Sequence, residues 1–274
     1  MSLIEAIVLG LVQGLTEFLP ISSTAHLRIV PALLGWSDPG AAYSAVIQLG
    51  TTVAVILYFA SDLWRLTRAF ISGLLARKPF GTPDSRLAWY VGLGSVPIGI
   101  LGLLFKKQIE TSLRSLYVIA FSFIVWAVVL AVVERLSKRT RTLGDMTLRD
   151  SLIIGAWQTL ALIPGSSRSG TTLTGGFSLG FTRAEAARFS FLLSIPATAA
   201  AGLLELKHLV QAPERPAMYL LALGTLVSFI TGMAAIWGLL RLLRTRSTMI
   251  FIVYRIAAGV ALLVALSAGW LSAY

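Results

Sequence analysis

The chain has 274 residues, of which 56% are hydrophobic and only 13% are charged, and its net charge is +11. Soluble domains carry about 45–50% apolar and about 25% charged residues, so this composition excludes a soluble enzyme, a disordered chain and a nucleic-acid-binding domain. It indicates an all-α polytopic membrane protein whose basic residues lie in cytoplasmic loops and near anionic lipid. Because the sequence contains no cysteine, disulfides and thiolate metal sites are also excluded.

Eight apolar stretches follow along the chain, and six of them are long enough to cross a membrane, which takes about 20 residues. These six are 43–61, 87–105, 116–133, 187–206, 217–240 and 250–272. The other two, 3–19 and 151–163, each run into a proline and a polar string, and a second short apolar piece follows at 27–35 and 173–181. This pattern predicts two re-entrant helical hairpins, since non-helical backbone at membrane depth survives only when protein or a wet cavity surrounds it.

The two interrupted segments resemble each other in sequence. Gly10 and Gln13 precede Pro20, and the segment 155–158 begins with glycine, ends with glutamine and precedes Pro164. Each predicted hairpin is followed by three spans, so the second half enters the membrane from the opposite side. We therefore predict inverted-topology repeats, in which short interrupted segments at matching positions indicate the binding site.

The repeats and the basic residues define one integral membrane domain over 1–274. Repeat one covers about 1–133, a cytoplasmic linker covers about 134–150, and repeat two covers about 151–274. Fifteen Lys and Arg residues fall on one side of the spans and five on the other; the fifteen lie in 65–86, 135–149, 183–188 and 241–246, and the five in 106–114 and 207–215. The positive-inside rule makes the first side cytoplasmic, which places both termini on the outer side of the membrane.

Glu17 is the clearest acidic group within a predicted membrane segment, where an ionisable residue is costly and indicates function. Gln13 precedes it by four residues, so the two side chains share one helix face. That face can present a carboxylate and an amide to one ligand or to a hydrated divalent cation. The alternative is a buried polar pair that only ties helices together.

Ser22, Ser23, Thr24 and His26 follow Pro20, which should end the first helix. Hydroxyl and backbone N–H groups at the start of a new helix suit an anion. A neutral histidine beside a serine can act as a base or a nucleophile. Taken alone, His26 is interpreted as a hydrogen-bonded polar group, but the nearby serines and acid favour a catalytic role.

The segment 165–172 combines two glycines with an arginine, three serines and two threonines. Arginine binds phosphate bidentately and stays charged when it is partly desolvated. The candidate phosphate-binding residues here are Ser167, Arg168, Ser169, Gly170 and Thr172. The segment is not a Walker P-loop, since the P-loop lysine is missing and an apolar helix precedes it. The alternative is a polar re-entrant turn in which Arg168 pairs with Glu17.

Three motifs together resemble those of bacterial undecaprenyl-diphosphate phosphatases of the bacitracin-resistance type. They are the box from Gln13 to Glu17, the string 20–26 and the string 164–172, and their order and spacing match over nearly the whole chain. The resemblance implies a membrane hydrolase that removes the terminal phosphate of a C55 isoprenyl diphosphate, returning the lipid that carries peptidoglycan precursors. It also implies a divalent cation, Mg²⁺ or Ca²⁺. Because the first box opens with Gln13 rather than glutamate, Glu17 is the stronger candidate metal ligand.

Sequence and resemblance together assign provisional roles to these residues. Arg168, with Ser22 and the hydroxyls near it, would hold the phosphates, and a cation beside Glu17 would bridge phosphate oxygens. Three attacking groups are possible: Ser23, activated by His26 or by Glu17; His26 itself; or a water polarised by Glu17. The sequence does not choose among these.

Two rival interpretations use the same residues. Inverted repeats with broken helices are typical of transporters. The first alternative is therefore a lipid-phosphate flippase that uses the anion site without hydrolysis, or a protein that both hydrolyses and flips its lipid. A scaffold protein is the weaker alternative, because it gives no reason for Glu17, His26 and Arg168 at membrane depth. The family resemblance favours a site that opens to the outer side. The sequence does not fix the oligomeric state, and a homodimer is one assembly we consider.

Overall fold

The computed structural model describes residues 1–211 and 217–273, and within these ranges the chain is helical with no β-strand. Arg215, one of the five basic residues counted on the outer side, lies outside the described residues. The helices are α1 (Leu3–Phe18), α2 (Ser23–Leu34), α3 (Gly40–Tyr58), α4 (Ala60–Leu75), α5 (Pro83–Leu104), α6 (Lys106–Glu110), α7 (Leu116–Leu136), α8 (Leu148–Thr159), α9 (Arg168–Ser178), α10 (Arg183–Gln211), α11 (Met218–Thr245) and α12 (Met249–Ser267).

Six of these helices, α3, α5, α7, α10, α11 and α12, are long and apolar enough to cross a membrane, which confirms the six predicted spans. The bounds differ most at the fourth span, predicted over 187–206, because α10 runs from Arg183 to Gln211. The first span ends three residues earlier than predicted, since α3 ends at Tyr58 and α4 starts after Phe59. Helix α4 was missed by the hydropathy pattern since it is amphipathic. Leu66 is its one fully buried residue, while Trp64 and the arginines beside it are exposed.

The two interrupted segments break with the same backbone conformation. Ser22, before α2, has φ 72° and ψ 100°, and Ser167, before α9, has φ 70° and ψ 112°. Positive φ is uncommon for residues other than glycine, so its occurrence at both breaks is a specific structural likeness. The two serines are 145 residues apart, as are Gly10 and Gly155, so the backbone matches Pro20 to Gly165 rather than to Pro164.

The first helix of each interrupted segment packs on a span through a pair of glycines. A Cβ on Gly10 of α1 would lie 2.6 Å from the carbonyl oxygen of Gly224 in α11. A Cβ on Gly155 of α8 would lie 2.3 Å from the carbonyl oxygen of Gly94 in α5. Small residues at such contacts let helix backbones approach closely in membranes. The paired segments are therefore held at matching positions by matching contacts.

Arg141 joins the start of α8 to the end of α9. Its guanidinium donates to the Asp150 carboxylate at 2.6 Å and to the Leu179 carbonyl at 2.9 Å. The same guanidinium lies 4.5 Å from the centre of the Phe181 ring. The beginning of α8 and the end of α9 thus meet on the side predicted to be cytoplasmic, as in a hairpin that enters and leaves on one side.

Asp38 has the equivalent place after α2, on the opposite side of the protein. It accepts two hydrogen bonds from Arg114, at 2.7 and 2.8 Å, and pairs with Arg28 at 3.5 Å. Burial alone would raise the pKa of Asp38, but the Arg114 hydrogen bond and the nearby arginine charges hold it below its ordinary value. Of the two arginines, Arg114 is one that the basic-residue count places on the outer side, so Asp38 lies beside the loop predicted to be outside. The re-entrant hairpins and inverted repeats remain predictions that these contacts support.

Gly155→Ala tests the close approach of α8 to α5. The added methyl group would meet the backbone of Gly94, which cannot move aside, so overpacking should cost about 1–3 kcal/mol. Thermal unfolding of detergent-purified protein should show a lower apparent Tm. Gly99→Ala in α5 is the control, because nothing lies within 4 Å of its built Cβ. Equal Tm values for the two variants would contradict the packing described.

Candidate active site

The Glu17 carboxylate is the centre of a buried hydrogen-bond network. Its Oε2 accepts from Gln13 Nε2 at 2.9 Å and from Ser23 Oγ at 2.7 Å. Its Oε1 accepts from Gln48 Nε2 at 2.8 Å and from Arg168 Nη2 at 2.8 Å. Glu17 lies in the last turn of α1, Ser23 and Arg168 begin α2 and α9, and Gln48 lies in α3. We call the stretches 19–22, between α1 and α2, and 163–167, before α9, the two breaks. The residues at both breaks and one span therefore meet at a single carboxylate.

Arg168 and Glu17 form an ion pair across 151 positions of sequence. Their side chains are only 10% and 3% exposed, so water screens the pair little. Arg168 also donates from Nη1 to the Ser190 carbonyl at 3.3 Å, while its Nε has no partner in the described part of the chain. The guanidinium is thus held in place yet keeps a free donor, which an anion can use.

The breaks contact each other and both lie at helix N-termini. Ser169 Oγ, at the start of α9, donates to the Leu19 carbonyl at 2.9 Å. Ser167 Oγ caps α9 by accepting from the Gly170 N–H at 3.1 Å. Since helix N-termini carry partial positive charge and unpaired N–H groups, two of them at one place favour an anionic ligand.

Two predicted phosphate-binding hydroxyls have local partners. The hydroxyls of Thr172 and Ser190 lie 2.6 Å apart, and Thr172 Oγ1 donates to the Arg168 carbonyl at 2.8 Å. The Ser22 hydroxyl lies 3.2 Å from that of Thr24. These contacts brace the first turns of α9 and α2, so Thr172 supports Arg168 from the next turn of the helix.

His26 faces away from Glu17. Its Nδ1 lies 2.7 Å from the Ser22 carbonyl oxygen and its Nε2 lies 2.5 Å from the Tyr254 hydroxyl. Because a carbonyl only accepts, a neutral ring carries its proton on Nδ1 and accepts from Tyr254 at Nε2. Both ring nitrogens are occupied, so in this arrangement the residue beside the Ser23 hydroxyl is Glu17 rather than His26.

Comparison with known proteins identifies the family of the chain. The family described as "Bacitracin resistance protein BacA" matches residues 6–261. The chain belongs to this family. It is 64% identical over 272 residues to an undecaprenyl-diphosphatase of Myxococcus xanthus, covering 99% of this chain and 92% of the relative. It is 55% identical to one from Chloroherpeton thalassium and 52% identical to one from Chlorobium phaeobacteroides, each over the full length of both chains.

Four residues of this BacA-family site were not found by sequence reasoning. Gln48 binds Glu17, Ser190 binds Arg168 and Thr172, Tyr254 binds His26, and Arg255 lies behind both breaks. Each is a polar residue within an otherwise apolar span, and intramembrane polarity is the signal that could have identified them. Their partners could not be predicted, because the residues in contact lie far apart in the sequence.

The donor atoms around Glu17 fit a hard divalent cation. No group of three or more His, Cys, Asp or Glu residues that could hold a metal occurs among the described residues, and Glu17 is the carboxylate of the network described above. Gln13 and Gln48 each donate through the amide nitrogen, which leaves their amide oxygens as additional ligands. Mg²⁺ is commonly held by one or two carboxylates plus substrate phosphates and water, and this set of oxygens suits that mode.

The Glu17–Arg168 pair can be tested by a double-mutant cycle in thermal stability. Arg168→Met leaves a buried carboxylate without its cation, which should cost about 3–5 kcal/mol. Adding Glu17→Gln removes that charge, so the double variant should regain most of the lost apparent Tm. The measurement is thermal unfolding of the two single variants and the double variant in one detergent. Additive losses would show that the two charges do not depend on each other.

Proposed function

We propose that this chain hydrolyses undecaprenyl diphosphate to undecaprenyl phosphate and inorganic phosphate. The observation that carries the proposal is the contact of the Ser23 hydroxyl and the Arg168 guanidinium with opposite oxygens of the Glu17 carboxylate. This set supplies a nucleophile, a base and a phosphate ligand at one buried place. Membership of the BacA family and the names of the relatives support the same reaction. The product would again carry peptidoglycan precursors, which accounts for bacitracin resistance.

Substrate binding rearranges the ion pair. A diphosphate with roughly three negative charges competes with Glu17 for Arg168, because arginine binds phosphate bidentately. The N-termini of α2 and α9 add partial positive charge beside it. As Arg168 turns to the phosphate, Oε1 of Glu17 loses a strong donor and the carboxylate becomes a better base for Ser23.

The chemical step then follows from the Ser23–Glu17 contact. Glu17 takes the Ser23 proton as Oγ forms a bond to the terminal phosphorus, and the bond from that phosphorus to the bridging oxygen breaks. Undecaprenyl phosphate leaves with the bond electrons and takes the proton from Glu17, which becomes a carboxylate again. Glu17 then takes a proton from the water that attacks the phosphoserine, and it returns this proton to Ser23 Oγ as inorganic phosphate departs. Arg168 stabilises the charge on the transferred group.

His26 has a positioning role in this scheme. Its hydrogen bond to the Ser22 carbonyl and its contact with Tyr254 fix the backbone one residue before the nucleophile. Glu17, with the amide oxygens of Gln13 and Gln48, would hold Mg²⁺ or Ca²⁺, which when bound neutralises charge on phosphate oxygens.

The lipid tail would remain in the bilayer while the diphosphate enters between the two breaks. We place the protein in the bacterial cytoplasmic membrane as inverted repeats with re-entrant hairpins, with both termini and the mouth of the site on the outer side. A homodimer remains a prediction. A flippase without hydrolysis is not favoured, because the relatives are named as diphosphatases and flipping needs no hydroxyl–carboxylate pair.

Phosphate release by purified protein tests the reaction itself. In detergent, where no membrane sides exist, C55 isoprenyl diphosphate should yield inorganic phosphate, and a chelator should stop release until Mg²⁺ or Ca²⁺ is restored. Glu17→Gln should lower turnover by about 10²-fold or more, the scale of general acid–base contributions. Glu5→Gln, near the start of the same helix, is the matched control. A flippase alone would release no phosphate.

Rapid chemical quenching tests the role of Ser23. With substrate labelled in the terminal phosphate, label should attach covalently to the wild-type protein and map to Ser23 by peptide analysis. Ser23→Ala should carry no label and should lose turnover, whereas His26→Gln should still form the labelled enzyme. Label on His26, or full turnover by Ser23→Ala, would contradict the proposed nucleophile.

A further inference from the structure

Arg255 is a charged residue inside a membrane span that the proposed reaction does not use. It lies in the apolar span α12, and it is the largest fully buried side chain of the described residues, with 0% exposure. A guanidinium at this depth is costly, and such residues usually pair with each other or with carbonyl groups and mark a functional site. The contacts of Arg255 therefore indicate what it does.

Four backbone carbonyls accept hydrogen bonds from Arg255. Nη1 donates to Pro20 and to Ser166, both at 3.2 Å, and Nη2 donates to Gly165 at 2.8 Å and to Ser122 at 3.2 Å. Pro20 belongs to the first break, Gly165 and Ser166 to the second, and Ser122 to α7. One planar group thus fixes the spacing of both breaks, which position Ser23 and Arg168 for the reaction.

The charge of Arg255 has no carboxylate partner. No ion pair in residues 1–211 and 217–273 includes it, and its Nε has no hydrogen-bond acceptor there. Its guanidinium lies 5.6 Å from the centre of the Phe123 ring, which is a weak compensation. The site therefore holds one carboxylate, Glu17, against two guanidinium groups, Arg168 and Arg255. In a medium of low dielectric constant this excess positive charge favours an anion.

Two glycines of the segment 165–172 make room for this arrangement. A Cβ on Gly170 would lie 3.0 Å from Arg255 Nη1, and a Cβ on Gly165 would lie 2.8 Å from the carbonyl oxygen of Ile119 in α7. Gly165 also has φ +92°, a conformation that side chains disfavour. The glycines next to Arg168 are thus explained by the close approach of α7 and α12.

We propose that Arg255 is a positioning residue of the diphosphate site. It acts through the carbonyl groups of both breaks, which set the distance between Ser23 and Arg168, and through an unpaired charge that the diphosphate of the substrate balances. The inference rests on the proposed function for the identity of the anion. It adds a residue that touches neither the substrate nor Glu17.

Two substitutions separate the geometric effect from the charge. Arg255→Lys keeps the charge but loses the planar guanidinium group with its fixed N–H donors. The kcat of this variant should fall at least about tenfold, while its affinity for inorganic pyrophosphate should stay within about threefold of wild type. Arg255→Met loses both, so pyrophosphate affinity should also fall at least about tenfold. The measurements are kcat and KM for phosphate release from C55 diphosphate, competition by pyrophosphate, and apparent Tm in the same detergent.

Gly170→Ala keeps the inference testable if Arg255→Met does not fold. Its methyl group would press on Nη1, so kcat should fall with little change in apparent Tm, and Gly99→Ala provides the control for an added methyl group in a helix. Wild-type kcat in both Arg255→Lys and Gly170→Ala, or wild-type pyrophosphate affinity in a folded Arg255→Met protein, would overturn the inference. If Arg255→Met weakens pyrophosphate binding but the wild type releases no phosphate, the proposed hydrolysis fails while the effect of Arg255 on anion binding stands.

Discussion

The ion pair between Glu17 and Arg168 is the interaction on which the rest of the site depends. Each charge would be prohibitively costly alone at membrane depth, and together they join segments that are 151 residues apart. The pair joins the last turn of α1 to the first turn of α9, and the hydroxyl of Ser23 donates to the same carboxylate. Removing the Glu17–Arg168 pair would therefore disturb phosphate binding, the activation of Ser23 and the contact of α1 with α9 at once.

Unusual backbone conformations bring the helix starts to this pair. Ser22 and Ser167 hold positive φ values at a cost of order 1–3 kcal/mol each. The cost is offset by contacts that only the folded chain makes, chiefly the four carbonyl hydrogen bonds of Arg255 and the glycine contacts of α1 and α8. The strained backbone and the contacts that offset its cost thus lie in the same few turns, where the N-termini of α2 and α9 approach the Glu17–Arg168 pair.

Sequence alone was sufficient for the features that depend on local composition. Hydropathy located the six spans, and prolines followed by polar strings located both breaks together with Glu17 and Arg168. Features that depend on side-chain direction were predicted only in part, since the pair of Arg168 with Glu17 was one of two alternatives and the contacts made by polar residues of the spans were not foreseen. His26 is three residues from Ser23, which suggested a catalytic pair, yet its ring points to Tyr254. Gln48 and Arg255 are polar residues in mostly apolar spans, and only the packing of α3 and α12 reveals what they contact.

The spacing of 145 residues that matches Ser22 to Ser167 also matches Ser23 to Arg168 and Glu17 to Leu162. On the proposed inverted repeat, one half supplies the nucleophile and the acid while the other supplies the cation. Two copies of the first half would bring together two carboxylates and no guanidinium, and two copies of the second would do the reverse. On this proposal, the differences between the halves give a single site with one direction of proton transfer, which neither half could provide by pairing with itself.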